Sequence, residues 1–449
     1  MRILGKTEGF HDASVCILID NKIYYASHAE RFSRIKNDKW IHKNQIPYMK
    51  TKPLIAYYEK PLLKNLRRLY AGQKWQKTTT EYDVSFPHHK SHAAAGYYTS
   101  PFTECNVLVI DSIGEWDTVS IWKGDIKSNY SGYSLKKIKS WKYPYSIGLL
   151  YSAITQRIGL KPNEDEYITM GMAAYGEPLY DLEYLLEENN HWGVGDLLPN
   201  AKNEDLAASI QKLYEKKLLE LVDMCPEENL VIMGGCALNC SANSKIQGKN
   251  IWIMPNPGDA GSALGAAALV QEDKLDWQHP YLGTPIARAI NPKQVVKELL
   301  KNKICGVANG RAEWGPRALG NRSLLGDPRY DIKDTVNTIK RRQKFRPFAP
   351  AILEEYADEY FEGPMNRYMQ FVAKANHDYK SVTHVDGTAR VQLVEQSNKS
   401  ILRQILEEWH NKTGVPMLLN TSLNIKGQPM VDNWEDAKEF MEKYNVRVF

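Results

Sequence analysis

Long apolar runs are missing from this chain. None approaches the roughly 18 residues that a membrane-spanning helix requires, which excludes a helical membrane protein. Cysteine is scarce and scattered: Cys16, Cys105, Cys225, Cys236, Cys240 and Cys305 form no CxxC pair, which argues for reduced thiols. The amino terminus, Met1-Arg2-Ile3-Leu4-Gly5-Lys6, turns polar too soon for a signal peptide, so a cytoplasmic location is expected. A strong charge of either sign is also lacking. Lys and Arg outnumber Asp and Glu by five across 449 residues, without a polybasic arm. That balance gives no support to nucleic-acid binding and suits small anionic substrates. What is present is an ordinary globular composition, 43% hydrophobic, at a length that predicts two domains.

The stretch Phe86-Pro87-His88-His89-Lys90-Ser91-His92 places two histidines four apart, on one face if the segment is helical. A zinc protease needs a glutamate after the first histidine, and His89 stands there instead. The pair is either a surface helix end or half of a metal site that needs carboxylates from elsewhere. Upstream, Ser14 to Asp20 and Lys22 to His28 are β-rich runs broken at Asn21, which predicts a hairpin preceded by Gly9-Phe10-His11-Asp12. The pattern recurs where Asn106 to Asp111 runs through Gly114-Glu115 into Thr118 to Trp122, pointing to a duplicated fold.

Between these units, the charged run Glu30 to Asp38 reads as a solvated helix end. A helix is expected over Tyr145 to Ile158, a surface loop over Asn189 to Glu204 and an amphipathic helix over Leu206 to Val222. Asn229 to Met233 reads as a strand, with a Gly234-Gly235 turn and a helix from Ala237. That turn is either a tight packing element or a phosphate-facing one. Ile251 to Met254 is a further strand, leading through Asp259 to a helix over Ala263 to Val270. Asp259 stands where α/β folds place ligand groups, and equally where it caps that helix. Gln271 to Pro292 reads as a linker. Beyond it, a strand over Lys303 to Ala308 leads to GRAEWGPRALGNR (Gly310 to Arg322), which reads as a rigid anion-facing loop. Arg341-Arg342-Gln343-Lys344-Phe345-Arg346 adds cations. A strand is expected after Arg390, and another over Val415 to Leu419 before Asn420-Thr421-Ser422-Leu423-Asn424.

Taken in order, His11-Asp12, ERFSRIK, HHKSHAA, the Asp111 turn, MGMAAYG, GGCALNCSAN, NPGDAGSALGAA, GRAEWGPRALGNRS, KFRPFAPAI, THVDGTARVQ and TGVPMLLNTSLN resemble the O-carbamoyltransferases of the nodulation and antibiotic-tailoring type, over nearly the whole chain. The resemblance implies an α/β protein. Residues 1–285 would be a duplicated actin-like (ribonuclease-H-like) carbamoyl-transfer domain, and residues 286–449 an α/β domain that binds carbamoyl phosphate and forms carbamoyl adenylate with ATP. The carbamoyl group would then pass to a hydroxyl of a small molecule: a sugar, an antibiotic scaffold, or a hydroxylated nucleoside or nucleotide.

The same resemblance implies site residues. His11 would be the base and Asp12 its orienting partner. His88, His92, Asp111 and Asp259 would hold a divalent metal, expected to be Fe2+, with Mg2+ as a companion of ATP. Lys36, Gly114, Gly234, Gly235 and Asn239 would serve the nucleotide. Arg317, Lys344, Arg346, Arg390, Asn420 and Ser422 would bind carbamoyl phosphate, with Lys344-Phe345-Arg346 and Ser422-Leu423-Asn424 as the KxR and SxN signatures. Related architectures often pair, in keeping with a homodimer. The chain departs from the pattern at Ile168, where a lysine is common, and at Leu423, where a phenylalanine is common. Two other readings share the modules: a threonylcarbamoyl-type tRNA modifier, and a nucleotide-binding regulator without chemistry.

Overall fold

The computed structural model describes residues 1–77, 80–127, 132–187 and 194–449. The chain divides into two compact units, one of Met1–Ala29 with Asn37–Gln278 and one of Glu30–Lys36 with His279–Phe449.

The first unit contains two five-stranded sheets among the described residues. One is formed by β1 (Arg2–Thr7), β2 (Ser14–Ile19), β3 (Lys22–His28), β4 (Leu54–Tyr57) and β5 (Val84–Ser85), in the order β3-β2-β1-β4-β5. The other is formed by β6 (Cys105–Ile110), β7 (Asp117–Ile126), β8 (Tyr133–Lys142), β9 (Asn229–Met233) and β10 (Asn250–Trp252), in the order β10-β9-β6-β7-β8. In both, the first strand pairs antiparallel with the second and the second with the third, while the fourth and fifth run parallel to the first. This is the duplication that the two hairpins announced. Both hairpins form, β2 on β3 and β6 on β7.

The central strands are buried on both faces, so β6 reads CNVLVI rather than alternating. The helices His88–Thr99 and Ser262–Gln271 pack against each other through small residues. A Cβ on Gly265 would lie 1.7 Å from the Ser91 carbonyl oxygen, so only glycine permits this approach. The expected helices over 145–158 and 206–222 are Ile147–Arg157 and Asn203–Asp223. Within the stretch expected to be a surface loop, residues 189–193 lie outside the described residues, and the helix begins at Asn203.

The second unit is built from β11 (Tyr281–Ile286), β12 (Ile304–Ala308), β13 (Gly310–Glu313), β14 (Arg322–Gly326), β15 (Ala349–Leu353), β16 (Phe361–Glu362), β17 (Ala373–Ala375), β18 (Thr388–Ala389), β19 (Gln392–Val394) and β20 (Met417–Ser422). Its main sheet has the order β12-β14-β20-β15-β19, flanked by the pair β11-β13 and the triplet β16-β17-β18. Neighbouring residues on these strands point to opposite faces. Leu324, Ile352 and Leu419 belong to one buried cluster, and Leu325, Ala351 and Leu418 to another. Both faces are therefore covered.

Three expectations need correction here. The stretch 271–292 is not a plain linker, because it contains β11, paired with β13. GRAEWGPRALGNR is not one loop: Gly310–Glu313 and Arg322–Gly326 are strands. Nor are its arginines all turned to an anion. Arg322 is fully buried and donates to the carbonyls of Asp432, Asn309 and Thr284, while Arg311 donates to those of Gly283 and Leu282. Finally, Glu30–Lys36 is not a solvated helix end. Arg31 is buried and donates to the Gly315 carbonyl, and Arg34 donates to the Met430 carbonyl and pairs with Asp436 at 3.2 Å.

Candidate functional site

Helix His88–Thr99 begins where Pro87 ends the extended chain, and His88 and His92 fall one turn apart on its buried face. Their Nε2 atoms are 3.0 Å apart. Asp111, just past β6, places Oδ2 at 3.0 Å from His88 Nε2 and 3.7 Å from His92 Nε2. Asp259, which opens a short 3-10 turn, places Oδ1 at 3.4 and 3.3 Å from the same two atoms. Ligand atoms of these four buried residues all lie within 4.8 Å of one another. The carboxylates that the histidine pair lacked in sequence thus stand beside it.

The chemistry of this set fits a divalent cation. His92 Nδ1 lies 3.1 Å from the Pro257 carbonyl, to which it donates, which leaves Nε2 as the ring nitrogen that faces His88 Nε2 and the two carboxylates. With both imidazoles neutral, as ligation requires, the two buried carboxylates would carry excess negative charge, which a low-dielectric interior tolerates only with a counterion. Protons feel the same field. Burial alone lowers the His88 pKa, yet Asp259 and Asp111 carry it well above its ordinary value. Burial likewise raises the Asp111 pKa, and His88 and His92 more than reverse this, holding it well below the carboxylate range. His89 points elsewhere, with Nδ1 at 2.8 Å from Ser120 Oγ. Burial and then His88 push its pKa well below the ordinary value.

His11 and Asp12 stand at the open side of this cluster. His11 Nδ1 is 3.0 Å from Asp12 Oδ2, and its Nε2 is 3.8 Å from Asp259 Oδ2. Asp12 adopts φ 53°, a left-handed conformation that Asp tolerates, in the turn between β1 and β2. Desolvation lowers the His11 pKa, but Asp12, Asp259 and Asp111 together raise it to about 9.

Of the residues expected at the nucleotide, Gly235 donates its amide to Asp111 Oδ1 at 3.3 Å, and a Cβ on Gly114 would lie 3.0 to 3.2 Å from His89 and His88. Gly234, at φ 92°, would bring a Cβ within 2.1 Å of the Ile110 carbonyl oxygen, a close approach that only glycine permits. The structure brings these three glycines to the histidine cluster. Asn239 is committed to Gln211 and to capping Ala242. Lys36 falls in the second unit and pairs with Glu30 at 2.8 Å.

Glu115 was missed by sequence reasoning. Its buried carboxylate accepts from the backbone amides of Lys60 and His88, at 2.6 and 3.0 Å, holding the start of the histidine helix. An acidic residue just past the Asp111 turn was the available signal.

In the second unit, Ser422 and Asn424 hold a lysine, but it is Lys340. Lys340 Nζ lies within hydrogen-bond distance of the carbonyl of Ser422 and of its Oγ, and 3.0 Å from both the carbonyl and Oδ1 of Asn424. Burial, then Arg342 and Arg346, lower its pKa well below 10.5. Lys344 is 72% exposed and pairs with Asp334. Arg346 therefore lies near the buried lysine and Lys344 projects away. Asn337 ties the loop down by donating to the carbonyls of Lys344 and Arg346. The KxR spacing occurs twice, at Lys340-Arg341-Arg342 and Lys344-Phe345-Arg346, and the first repeat is the buried one. Asn420 donates to Ala318 O and Gln392 Oε1, leaving its own buried Oδ1 without a partner. Arg390 likewise has a buried Nε without one. Arg317 is half-buried in the loop after the fully buried Trp314.

The family profile described as "Carbamoyltransferase N-terminus" matches residues 53–193 and 190–268, and that described as "Carbamoyltransferase C-terminus" matches 296–449. The chain is 31% identical to the uncharacterized protein sll1178 of Synechocystis, over 97% of this chain and 93% of that one. It is 30% identical to nodulation protein NolNO of Sinorhizobium fredii, over 95% of this chain and 76% of that one. Among solved structures, full-length HypF in a phosphate- and nucleotide-bound form aligns with 60% of this chain and 46% of its own, at 15% identity and a TM-score of 0.36. No helix among the described residues is long and apolar enough to cross a membrane.

Proposed function

Because this chain belongs to the carbamoyltransferase family and is an enzyme of carbamoyl transfer, we propose that it makes carbamoyl adenylate from carbamoyl phosphate and ATP, then carbamoylates a hydroxyl of a small molecule. In the first half-reaction, carbamoyl phosphate loses phosphate to water. A carbamate oxygen attacks the α-phosphorus of ATP, and pyrophosphate leaves. The second unit suits this step: Arg342 and Arg346 bring positive charge near Lys340, whose Nζ is held at Ser422, and fixed cations stabilise charge on transferring oxygens. Arg317, Arg390, Asn420 and Ser422 are assigned to the same anion.

In the second half-reaction, the acceptor oxygen bonds to the carbamoyl carbon. The bond from that carbon to the adenylate oxygen breaks, AMP leaves, and the hydroxyl proton passes to His11. Asp12 at Nδ1 orients the imidazole so that Nε2 faces the acceptor. A base must be neutral; Asp12 is the foremost group holding His11 protonated, and Asp259 and Asp111, which add to it, are carboxylates whose charge a bound cation would offset. His88, His92, Asp111 and Asp259 are assigned to that cation, for which imidazole with carboxylate suits Fe2+. When bound, it supplies a fixed positive charge for nucleotide phosphates. Gly114, Gly234 and Gly235 border that place. Lys36 and Asn239 remain assigned to the nucleotide on resemblance alone.

The observation that carries the reading is the buried two-histidine, two-carboxylate set with His11 and Asp12 at its edge. Its test is incubation with ATP and carbamoyl phosphate, with and without hydroxyl compounds. Pyrophosphate release and the mass gain of one carbamoyl group are expected; absence of pyrophosphate under every condition sinks the proposal.

A further inference from the structure

One helix of the first unit turns its apolar side to solvent. In Pro61–Tyr70, Leu62, Leu63, Leu66, Leu69 and Tyr70 are 42% to 67% exposed, while Lys64, Asn65 and Arg67 are buried. At roughly 100° per residue the five exposed side chains share an arc of about 120°, so they form one continuous stripe. The hydrophobic effect alone would roll such a helix inward. Its polar side prevents that. Lys64 Nζ is 2.8 Å from Glu59 Oε1, Asn65 exchanges hydrogen bonds of 2.9 and 2.8 Å with the Gln76 backbone, and Arg67 Nε donates to the Glu115 carbonyl at 3.2 Å. Hiding the leucines would break these buried contacts.

The surroundings of the stripe are cationic. Residues 37–77 hold ten Lys and Arg against two acids, Asp38 and Glu59, a net +8 in a chain whose total is +5, so the rest of the chain is net negative. Glu59 is already engaged by Lys64. Lys39, Lys43, Lys50, Lys52, Lys74 and Lys77 are exposed. Exposed aromatic rings stand among them, at Trp40, Tyr48 and Trp75. Two contacts place these groups beside the helix. Arg68 Nε donates to the Lys74 carbonyl at 3.1 Å, tying the turn that carries Lys74, Trp75 and Lys77 to the helix end. Trp40, Pro61 and Lys77 line one small cleft, which brings Trp40 to the helix start.

We propose that this face is a membrane-docking surface, whose partner is the headgroup region of an anionic lipid bilayer. The proposal does not depend on the carbamoyl-transfer reading above. The helix lies on the bilayer and does not cross it: its 10 residues extend about 15 Å, half of the roughly 30 Å hydrocarbon core. An outward apolar stripe bordered by lysines, with Trp and Tyr at its margin, combines the two attractions that hold interfacial helices. Leucines enter the acyl boundary, and cations meet anionic headgroups. A second copy of the chain fits this face less well. An isologous contact would set the same cations against each other across the two-fold axis, whereas an anionic surface draws them in.

The test is flotation of the full chain with vesicles of phosphatidylcholine, alone or mixed with phosphatidylglycerol, at low and high salt. The wild type should bind the anionic vesicles at least about tenfold more tightly than phosphatidylcholine alone, and added salt should weaken that binding. A variant carrying Leu62→Ser, Leu66→Ser and Leu69→Ser should lose at least about tenfold in affinity for the anionic vesicles. These changes touch only the outward side, so its circular dichroism and thermal midpoint should match those of the wild type. Lys74→Gln combined with Lys77→Gln leaves the helix untouched and should also lose about tenfold. A wild type that does not bind anionic vesicles would overturn the proposal, as would wild-type affinity in both variants. A wild type that stays off vesicles yet sediments as a dimer, one that the serine changes break, would assign the face to a second copy instead.

Discussion

Replacing Lys340 by methionine should abolish adenylate formation, whereas the same change at Lys344 should not. Lys340 is 3% exposed, and its Nζ sits among four oxygens of Ser422 and Asn424. Methionine fills the space but leaves buried oxygens without a donor, at about 1 to 3 kcal/mol for each one stranded. A loss of roughly 3 to 5 kcal/mol, as for other broken buried charged contacts, is expected. Lys344 is 72% exposed and pairs only with a 61% exposed Asp334, so its replacement should stay within about 0.5 kcal/mol of the wild type. The pH dependence adds a signature. The folded chain holds the Lys340 proton less tightly than the unfolded chain does. The unfolded state therefore binds more protons between the depressed value and 10.5, and this lysine makes stability rise with pH over that interval. The advantage of wild type over Lys340→Met should accordingly widen as pH increases toward 10.5. Urea unfolding across that range, beside pyrophosphate release under native conditions, reads both effects. Full pyrophosphate release by folded Lys340→Met, with loss in Lys344→Met, would refute the assignment of the buried lysine.

Other consequences are simpler to state. His92→Ala should drop bound metal from about one ion per chain to trace levels, measured by elemental mass spectrometry on purified protein, since it removes one of the two imidazoles from the four-residue donor set. Gly234→Ala forces a Cβ to within 2.1 Å of the Ile110 carbonyl at φ 92°; a loss of at least about 1 to 3 kcal/mol should appear in thermal unfolding. Leu66→Ser, on the exposed face of the helix Pro61–Tyr70, should change stability by no more than about 0.5 kcal/mol.

The parts legible from sequence were those with local signals. The hairpins β2–β3 and β6–β7 follow from period-two runs broken at polar turns, and the spacing of His88 and His92 predicts a shared helix face. Asp259 lies 167 positions from His92, so no spacing rule joins them; that pairing came from family resemblance and is realised in the fold. The Gly- and Pro-rich composition around Gly310 to Arg322 suggested a loop, yet Arg311 and Arg322 are bound to backbone carbonyls in and beside strands. Composition does not say whether a guanidinium faces solvent, a ligand or the chain itself. The two KxR repeats differ only in burial, which tertiary packing decides. Lys64, Asn65 and Arg67 escaped attention for the same reason, because a polar helix face is ordinarily the wet one.

The most direct measurement is acceptor carbamoylation by His11→Asn beside the wild type, with pyrophosphate followed in the same tubes. The wild type should release pyrophosphate and add one carbamoyl group to a hydroxyl acceptor. His11→Asn should still release pyrophosphate while transfer falls at least about a hundredfold, the usual contribution of a general base. Transfer by His11→Asn at the wild-type rate, or a wild type that releases no pyrophosphate, would contradict the account.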